Sequence, residues 1–138
     1  MGEANLEYLF HPRSVAIVGV SIDPESWANR WVKTLQEWSF KGRLYPVSLT
    51  LSEIFGLKVY RNLREIADSI DYVIVSIPAQ FTPQLLEDCA AKGVKFVHVY
   101  TAGFSETGEE ERTKLEGKIV EIAHRTGMRI IGPNSMGV

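Results

Sequence analysis

The fold prediction starts from the stretch SVAIVGVSIDP, residues 14–24. Its apolar, largely β-branched residues up to Val18 are typical of a buried strand in a parallel sheet. Gly19 follows, and a glycine permits a tight turn and lets a ligand approach the bare backbone. A helix predicted after the turn would direct its free N–H groups and the positive end of its dipole towards it. This arrangement favours a phosphate, so the stretch predicts a phosphate-binding loop.

The totals of the sequence indicate one globular domain. With 138 residues, 45% hydrophobic and 23% charged, the chain can bury a core without a metal or a disulfide. The net charge of −2 argues against a nucleic-acid partner. The single cysteine, Cys89, excludes an internal disulfide and fits the reducing cytosol, so a cytoplasmic location is expected. No apolar run approaches the ~20 residues of a membrane span, so no membrane partner is expected.

Strand and helix patterns alternate along the rest of the chain. Strands are predicted at residues 43–47, 72–77, 94–100 and 128–131, and helices at residues 26–37, 63–70, 82–93 and 109–125. Right-handed crossovers then give a doubly wound, Rossmann-like α/β domain with a five-stranded parallel sheet in three αβα layers. The predicted strand order is 3-2-1-4-5, with the ligand at the switch point between the first and fourth strands.

The helix predicted at residues 26–37 has a stripe of large apolar residues. Trp27, Trp31, Leu35 and Trp38 follow one another at spacings of four, four and three, which is one face of a helix. Packing against the sheet is the preferred interpretation of this face. The alternative is that Trp27, in the first turn, contacts the ligand.

A dinucleotide site would require two further signatures. The pattern G-x-G-x-x-G should follow the first strand, and an acid should follow the second. Ser21 and Pro24 occupy the places of the second and third glycines, and the second strand is followed by Ser48-Leu49-Thr50. Both signatures are absent, so an NAD-dependent oxidoreductase is the least favoured alternative.

Five short motifs stand at the ends of the predicted strands. They are FHPRSVAIVGVS (10–21), FKGRLYPV (40–47), IPA (77–79), TAGF (101–104) and GPNSMGV (132–138). Together they resemble the CoA-binding domain of NDP-forming (ADP-forming) acyl-CoA synthetases, in the superfamily of the succinyl-CoA synthetase α subunit. The resemblance covers nearly the whole chain, from about residue 6 to residue 138.

The resemblance implies that coenzyme A is the ligand and that five loops contact it. The first loop would lie against the nucleotide and its phosphates, the second would hold the adenosine phosphate, and the third would line the groove. The fourth would lie beside the pantetheine arm, and the fifth would approach the thiol. The implied residues are Gly19, Val20, Ser21, Ile22, Pro46, Val47, Ser48, Ile77, Pro78, Ala79, Tyr100, Thr101, Ala102, Gly103, Asn134 and Ser135. No catalytic residue and no metal ligand is expected in this chain.

The chain departs from the family's pattern at its phosphate-binding loops. Where the family has Pro-Gly-Lys and further glycines, this chain has Glu25, Ser26, Ala28 and Asn29. The second loop has Thr50 in the place of a lysine, and Ser135 replaces the usual cysteine. We therefore expect weaker CoA binding, with Arg30 or Lys33 as a substitute for the lost positive charge.

The resemblance also implies a reaction. In the family, acid, CoA and ATP give acyl-CoA through a phosphorylated histidine in a second domain, and an ATP-grasp module supplies the nucleotide. His11, His98 and His124 do not lie in the predicted site loops. We therefore expect residues 1–138 to be one CoA-binding domain, the amino-terminal part of a longer synthetase. Its partners would be the second CoA-ligase domain and the ATP-grasp module, in cis or in trans. The alternative is a free-standing module that senses CoA, acyl-CoA or a nucleotide.

Overall fold

The computed structural model of the chain describes residues 12–38, 40–100 and 110–131. Its strands and helices are, in order, β1 (Ser14–Val18), α1 (Trp27–Glu37), β2 (Arg43–Val47), β3 (Glu53–Ile54), β4 (Leu57–Lys58), β5 (Tyr72–Val75), α2 (Thr82–Ala91), β6 (Phe96–Val99), α3 (Glu110–Thr126) and β7 (Arg129–Ile131). Five strands form a parallel sheet, and β3 and β4 form a separate antiparallel ribbon. The predicted α/β class with a five-stranded parallel sheet is confirmed.

The strand order differs from the predicted one. The sheet runs β2-β1-β5-β6-β7, which is 2-1-3-4-5 when its strands are numbered along the chain, so the prediction 3-2-1-4-5 is wrong. The strand at Tyr72 lies between β1 and β6 instead of outside β2. Consequently the switch point lies between β1 and β5.

Pro46 explains why β2 stays at the edge of the sheet. Its carbonyl accepts a hydrogen bond from the Tyr60 N–H (2.9 Å), so its backbone faces away from β1. A strand paired on that side would miss one ladder hydrogen bond, because proline has no N–H to donate. In contrast, all four residues of β5 are buried, as expected for a strand with neighbours on both sides.

Helices cover both faces of the sheet, as predicted. Val73 and Val75 of β5 belong to the core under α2 and α3, whereas Tyr72 and Ile74 face the core under α1. Within α1, the buried Ala28 and Val32 take the centre of the packed face, with Trp31 and Leu35 on its flank. The packing prediction is therefore right for Trp31 and Leu35. It is wrong for Trp38, which is 78% exposed, and Trp27 remains 48% exposed.

The connection from β2 to β5 is less helical than predicted. In place of a helix at residues 63–70 there is one 3₁₀ turn, Leu63–Glu65, capped by the Asn62 side chain. Leu63, Ile66 and Ile70 all reach the core, but the Ile66 carbonyl accepts a hydrogen bond from the Lys92 side chain. The spacing of apolar residues between positions 63 and 70 therefore predicts correctly that these three side chains are buried, but it does not indicate a continuous helix. Over the three described ranges, no helix combines the length and apolarity that crossing a membrane requires.

Candidate functional site

Gly19 forms the tight turn at the carboxyl end of β1. Its φ of +114° lies in a region that L side chains rarely adopt, and a Cβ there would overlap the backbone carbonyl of Ser76. The Gly19 N–H donates to the Val47 carbonyl (3.0 Å), and the Ser76 N–H donates to the Val18 carbonyl (2.9 Å). Gly19 thus lies at the switch point, where β1, β2 and β5 end together. The position requires glycine for the close backbone approach.

The loop after Gly19 is tied to the start of α1 by Asn29. The Asn29 Oδ1 accepts from the Ser21 N–H (3.0 Å), and its Nδ2 donates to the carbonyls of Ser21 (2.8 Å) and Asp23 (3.0 Å). Ser26 caps the helix through its Oγ, which accepts from the Asn29 N–H. These hydrogen bonds hold the loop in one conformation. The N–H groups of Ser21, Asp23 and Glu25 donate to side chains of the same segment, so they are not available to a bound phosphate.

Asn29→Ala is expected to destabilise the domain by about 2–3 kcal/mol, because it leaves the part-buried N–H of Ser21 and the carbonyls of Ser21 and Asp23 without their partner. Thermal or urea unfolding measures the loss. Gln36→Ala on the same helix is the matched control, since its exposed amide makes one long hydrogen bond to the Phe55 carbonyl (3.3 Å). We expect the control to change stability by less than about 0.5 kcal/mol. Equal losses in both variants would contradict the role of Asn29.

A groove of about 410 Å³ opens beside Gly19, between the carboxyl ends of β1, β2 and β5 and helix α2. Six of the predicted site residues line it: Gly19, Val20, Val47, Ser48, Ile77 and Pro78. A second depression, of about 440 Å³ beside Lys92, extends towards Ser69, before the amino end of β5. Because ligands of doubly wound sheets bind at the carboxyl ends of the strands, the first groove is the candidate site.

The other predicted site residues lie elsewhere. Ser21 and Ile22 are in the loop before α1, and Ile22 is 83% exposed. Pro46 and Ala79 are buried and do not line the groove. Tyr100 follows β6 and packs against tryptophans of α1. Thr101, Ala102, Gly103, Asn134 and Ser135 lie outside the described residues.

The groove also contains residues that were not among the individual contacts implied by the resemblance, although Leu49, Thr50 and Phe81 belong to loops predicted at the ends of strands. The full set is Leu49, Thr50, Arg61, Asn62, Leu63, Phe81, Gln84, Leu85 and Asp88, with Val18 at the base. Arg61 and Asn62 arrive there because Tyr60 pairs with the end of β2: its N–H donates to the Pro46 carbonyl and its carbonyl accepts from the Ser48 N–H. The pairing of Tyr60 with β2 joins residues that are distant in the sequence, so no local sequence pattern predicts it.

Arg61 is the one cation among the described residues that line the groove. The residues predicted to supply positive charge, Arg30 and Lys33, do not line it. The Arg30 guanidinium forms an ion pair with the Glu25 carboxylate and lies 4.9 Å from the centre of the Trp27 ring. The groove's one acid, Asp88, accepts a hydrogen bond from Gln84 Nε2 (3.2 Å). An anionic ligand would therefore meet Arg61 first.

The described residues that line the groove include neither a histidine nor a cysteine. Cys89 is fully buried, and this burial raises the pKa of its thiol far above the ordinary value. His98 is buried within β6, and His124 is exposed near the end of α3. Within the described ranges, no three His, Cys, Asp or Glu side chains gather as metal ligands would. The geometry suits a site that holds a ligand along exposed backbone and apolar walls.

Known proteins resemble this chain in sequence and in fold. A family model described as a CoA-binding domain matches residues 13–138. The α subunit of ADP-forming acetate–CoA ligase II from Pyrococcus furiosus is 44% identical over 133 residues, covering 96% of this chain and 29% of the subunit. A dinucleotide-forming acetyl-coenzyme A synthetase 1 from Ca. Korarchaeum cryptofilum, solved with phosphate and ADP, has a TM-score of 0.89 at 40% identity. That match covers 96% of this chain and 28% of the synthetase.

A smaller protein shares the same architecture. A hypothetical protein from Pyrococcus horikoshii OT3 superposes with a TM-score of 0.70 at 27% identity, covering 94% of this chain and 82% of its own length. The P. furiosus relative, in contrast, is matched over 29% of its length. The architecture therefore occurs both inside larger proteins and as most of a small one.

Proposed function

The chain belongs to the CoA-binding domain family, and from this membership we propose that its groove holds coenzyme A across the carboxyl ends of β2, β1 and β5. The observation that carries the proposal is the position of the groove. It lies at the switch point beside Gly19, where the chain turns without a side chain and a diphosphate can approach the backbone.

Charge and hydroxyl groups favour one direction for the ligand. Arg61 borders the groove near the end of β2, together with the hydroxyls of Ser48 and Thr50, which lie 3.2 Å apart. These groups suit the 3′-phosphate of the adenosine end, since guanidinium and hydroxyl donors bind phosphate oxygens. The diphosphate then lies against Gly19 and Val20, and the pantetheine arm extends towards the end of β6.

Coenzyme A is expected to stabilise the folded chain in a thermal-shift measurement, because a ligand that binds only the folded state shifts unfolding. At about 100 times its dissociation constant, the stabilisation is roughly 2.7 kcal/mol. Dephospho-CoA should stabilise less at the same concentration, since it lacks the phosphate assigned to Arg61. NAD and ATP serve as controls. Stabilisation by NAD and none by CoA would contradict the proposal and favour the oxidoreductase alternative.

We extend the proposal to the larger reaction. The chain spans about 30% of the P. furiosus subunit that it matches, so we propose that it presents CoA to a second CoA-ligase domain and an ATP-grasp module, in cis or in trans. The described residues that line the groove include no histidine that could be phosphorylated and no cysteine. The purified chain should therefore form no acyl-CoA from acetate, CoA and ATP. Thioester formation by the chain alone would contradict this assignment.

A free-standing CoA sensor is the second candidate. The P. horikoshii protein supports it, since this architecture makes up 82% of that chain. A sensor reports its ligand by a change in association, so sedimentation with and without CoA separates the two candidates. A CoA-dependent change in oligomeric state favours the sensor, whereas an unchanged state favours the synthetase domain.

A further inference from the structure

A cluster of aromatic side chains lies on the α1 side of the sheet, near the carboxyl end of β6. We call Trp27, Trp31, His98 and Tyr100 the aromatic cluster. The ring centres of Trp27 and Tyr100 are 5.3 Å apart with planes inclined by 51°. Trp31 meets Tyr100 and His98 edge-on at 6.2 Å and 6.1 Å, and His98 meets Tyr100 at 5.8 Å. Each ring therefore touches at least one other, which fixes the arrangement.

The cluster has a buried base and an open side. His98 is buried and Trp31 half-buried, whereas Trp27 is 48% exposed and Tyr100 is partly exposed. The Arg30 guanidinium lies over the Trp27 ring and forms an ion pair with the Glu25 carboxylate. The contact with Arg30 further restricts the Trp27 ring. The exposed rings are thus a fixed apolar surface and do not need to be ordered when a ligand arrives.

The cluster lies within reach of a ligand held in the groove. Val20 lines the groove and also packs in the core under α1, so the two sides of the sheet meet at this residue. β1 and β6 are separated by β5 alone, which places their ends about 10 Å apart. A pantetheine arm is longer than this distance, so a CoA whose diphosphate lies at Gly19 can bring its sulfur to the cluster.

We propose that the aromatic cluster receives the acyl end of an acyl-CoA thioester and favours aromatic or bulky apolar acyl groups over acetyl. This inference rests on the proposed function, because it requires the CoA part to lie in the groove. Trp27 and Tyr100 supply ring faces and edges for an aromatic acyl group. Acetyl is too small to cover these rings.

The test is the ratio of the dissociation constants of acetyl-CoA and benzoyl-CoA, measured by calorimetry on the 138-residue chain. We expect benzoyl-CoA to bind about tenfold more tightly than acetyl-CoA, the effect of one good aromatic contact. Trp27→Ala should bring the ratio close to one, and Trp27→Phe should retain most of it. Trp38→Ala is the matched control, since Trp38 is an exposed tryptophan at the other end of the same helix. This control should keep the wild-type ratio.

Three results would overturn the inference while the proposed function stands. CoA binds but the wild-type ratio is one, or the ratio survives Trp27→Ala, or the ratio is lost equally in Trp38→Ala, in which case the effect does not belong to the cluster. Failure of CoA itself to bind would instead contradict the proposed function and the inference with it.

Discussion

Gly19→Ala is expected to cost the domain about 4 kcal/mol of folding free energy and to abolish CoA binding. The added Cβ would overlap the Ser76 carbonyl, which belongs to the backbone and cannot rotate away as a side chain can. The φ of +114° adds strain, since an L residue rarely adopts it. To relieve the overlap, β1 and β5 must separate where the groove begins. Thermal unfolding should show a fall in Tm of roughly 15 °C.

Gly56→Ala is the matched control for Gly19→Ala. Gly56 also has a positive φ, +80°, but no atom lies within 4 Å of the added Cβ. This variant should therefore lose only about 1–2 kcal/mol of folding free energy, the cost of placing an L residue at a positive φ, and it should bind CoA normally. If the two variants lost equal stability, the overlap with Ser76 would not be the cause. A stable Gly19→Ala variant with intact CoA affinity would remove the basis of the proposed site.

Arg61→Glu is expected to weaken CoA binding by about a hundredfold, and Arg61→Ala by about tenfold, because a charge-assisted bond to phosphate is lost and then replaced by repulsion. Arg61 is the one cation among the described residues that line the groove. The loss should be smaller for dephospho-CoA if the bond is to the 3′-phosphate. Calorimetry at low and at high salt measures both effects, since part of this attraction is screened.

Controls for Arg61 come from neighbouring cations. Arg64→Glu changes the net charge by the same amount three residues away, on a side chain that does not line this groove, so CoA affinity should change little. Arg30→Ala and Lys33→Ala test the sequence-based expectation that these residues replace the family's lysine. If they weaken CoA binding and Arg61→Glu does not, that expectation is right and the assignment of Arg61 is wrong.

Local patterns are sufficient to predict the strands of the parallel sheet and the family, but not the β3–β4 ribbon. The apolar runs at Ser14–Val18 and Tyr72–Val75 are buried strands, as expected. The resemblance to the CoA-binding domain and coenzyme A as the family's ligand are confirmed by the match over residues 13–138. These features depend on residues that are close together in the sequence, where periodicity and turn residues carry the information.

The strand order and half of the groove could not be predicted, because they depend on pairings between distant residues. Pro46 indicates an edge strand, because proline lacks the N–H that a central strand donates, but it does not indicate which strand lies on the other side of β1. Arg61 reaches the groove through the pairing of Tyr60 with β2 across the β3–β4 ribbon, which no apolar spacing encodes. The contacts assigned to individual site residues stay predictions until binding is measured.

Pro46 has one further consequence, for the behaviour of the protein at high concentration. A strand approaching β2 from outside finds no N–H at Pro46, and Tyr60 already occupies the carbonyl of Pro46 and the amide of Ser48. The carboxyl end of β2 therefore offers little unpaired backbone to a strand of another chain. Unpaired edge strands can pair with strands of other molecules and so cause aggregation. Pro46 and Tyr60 therefore reduce the tendency of β2 to aggregate in this way.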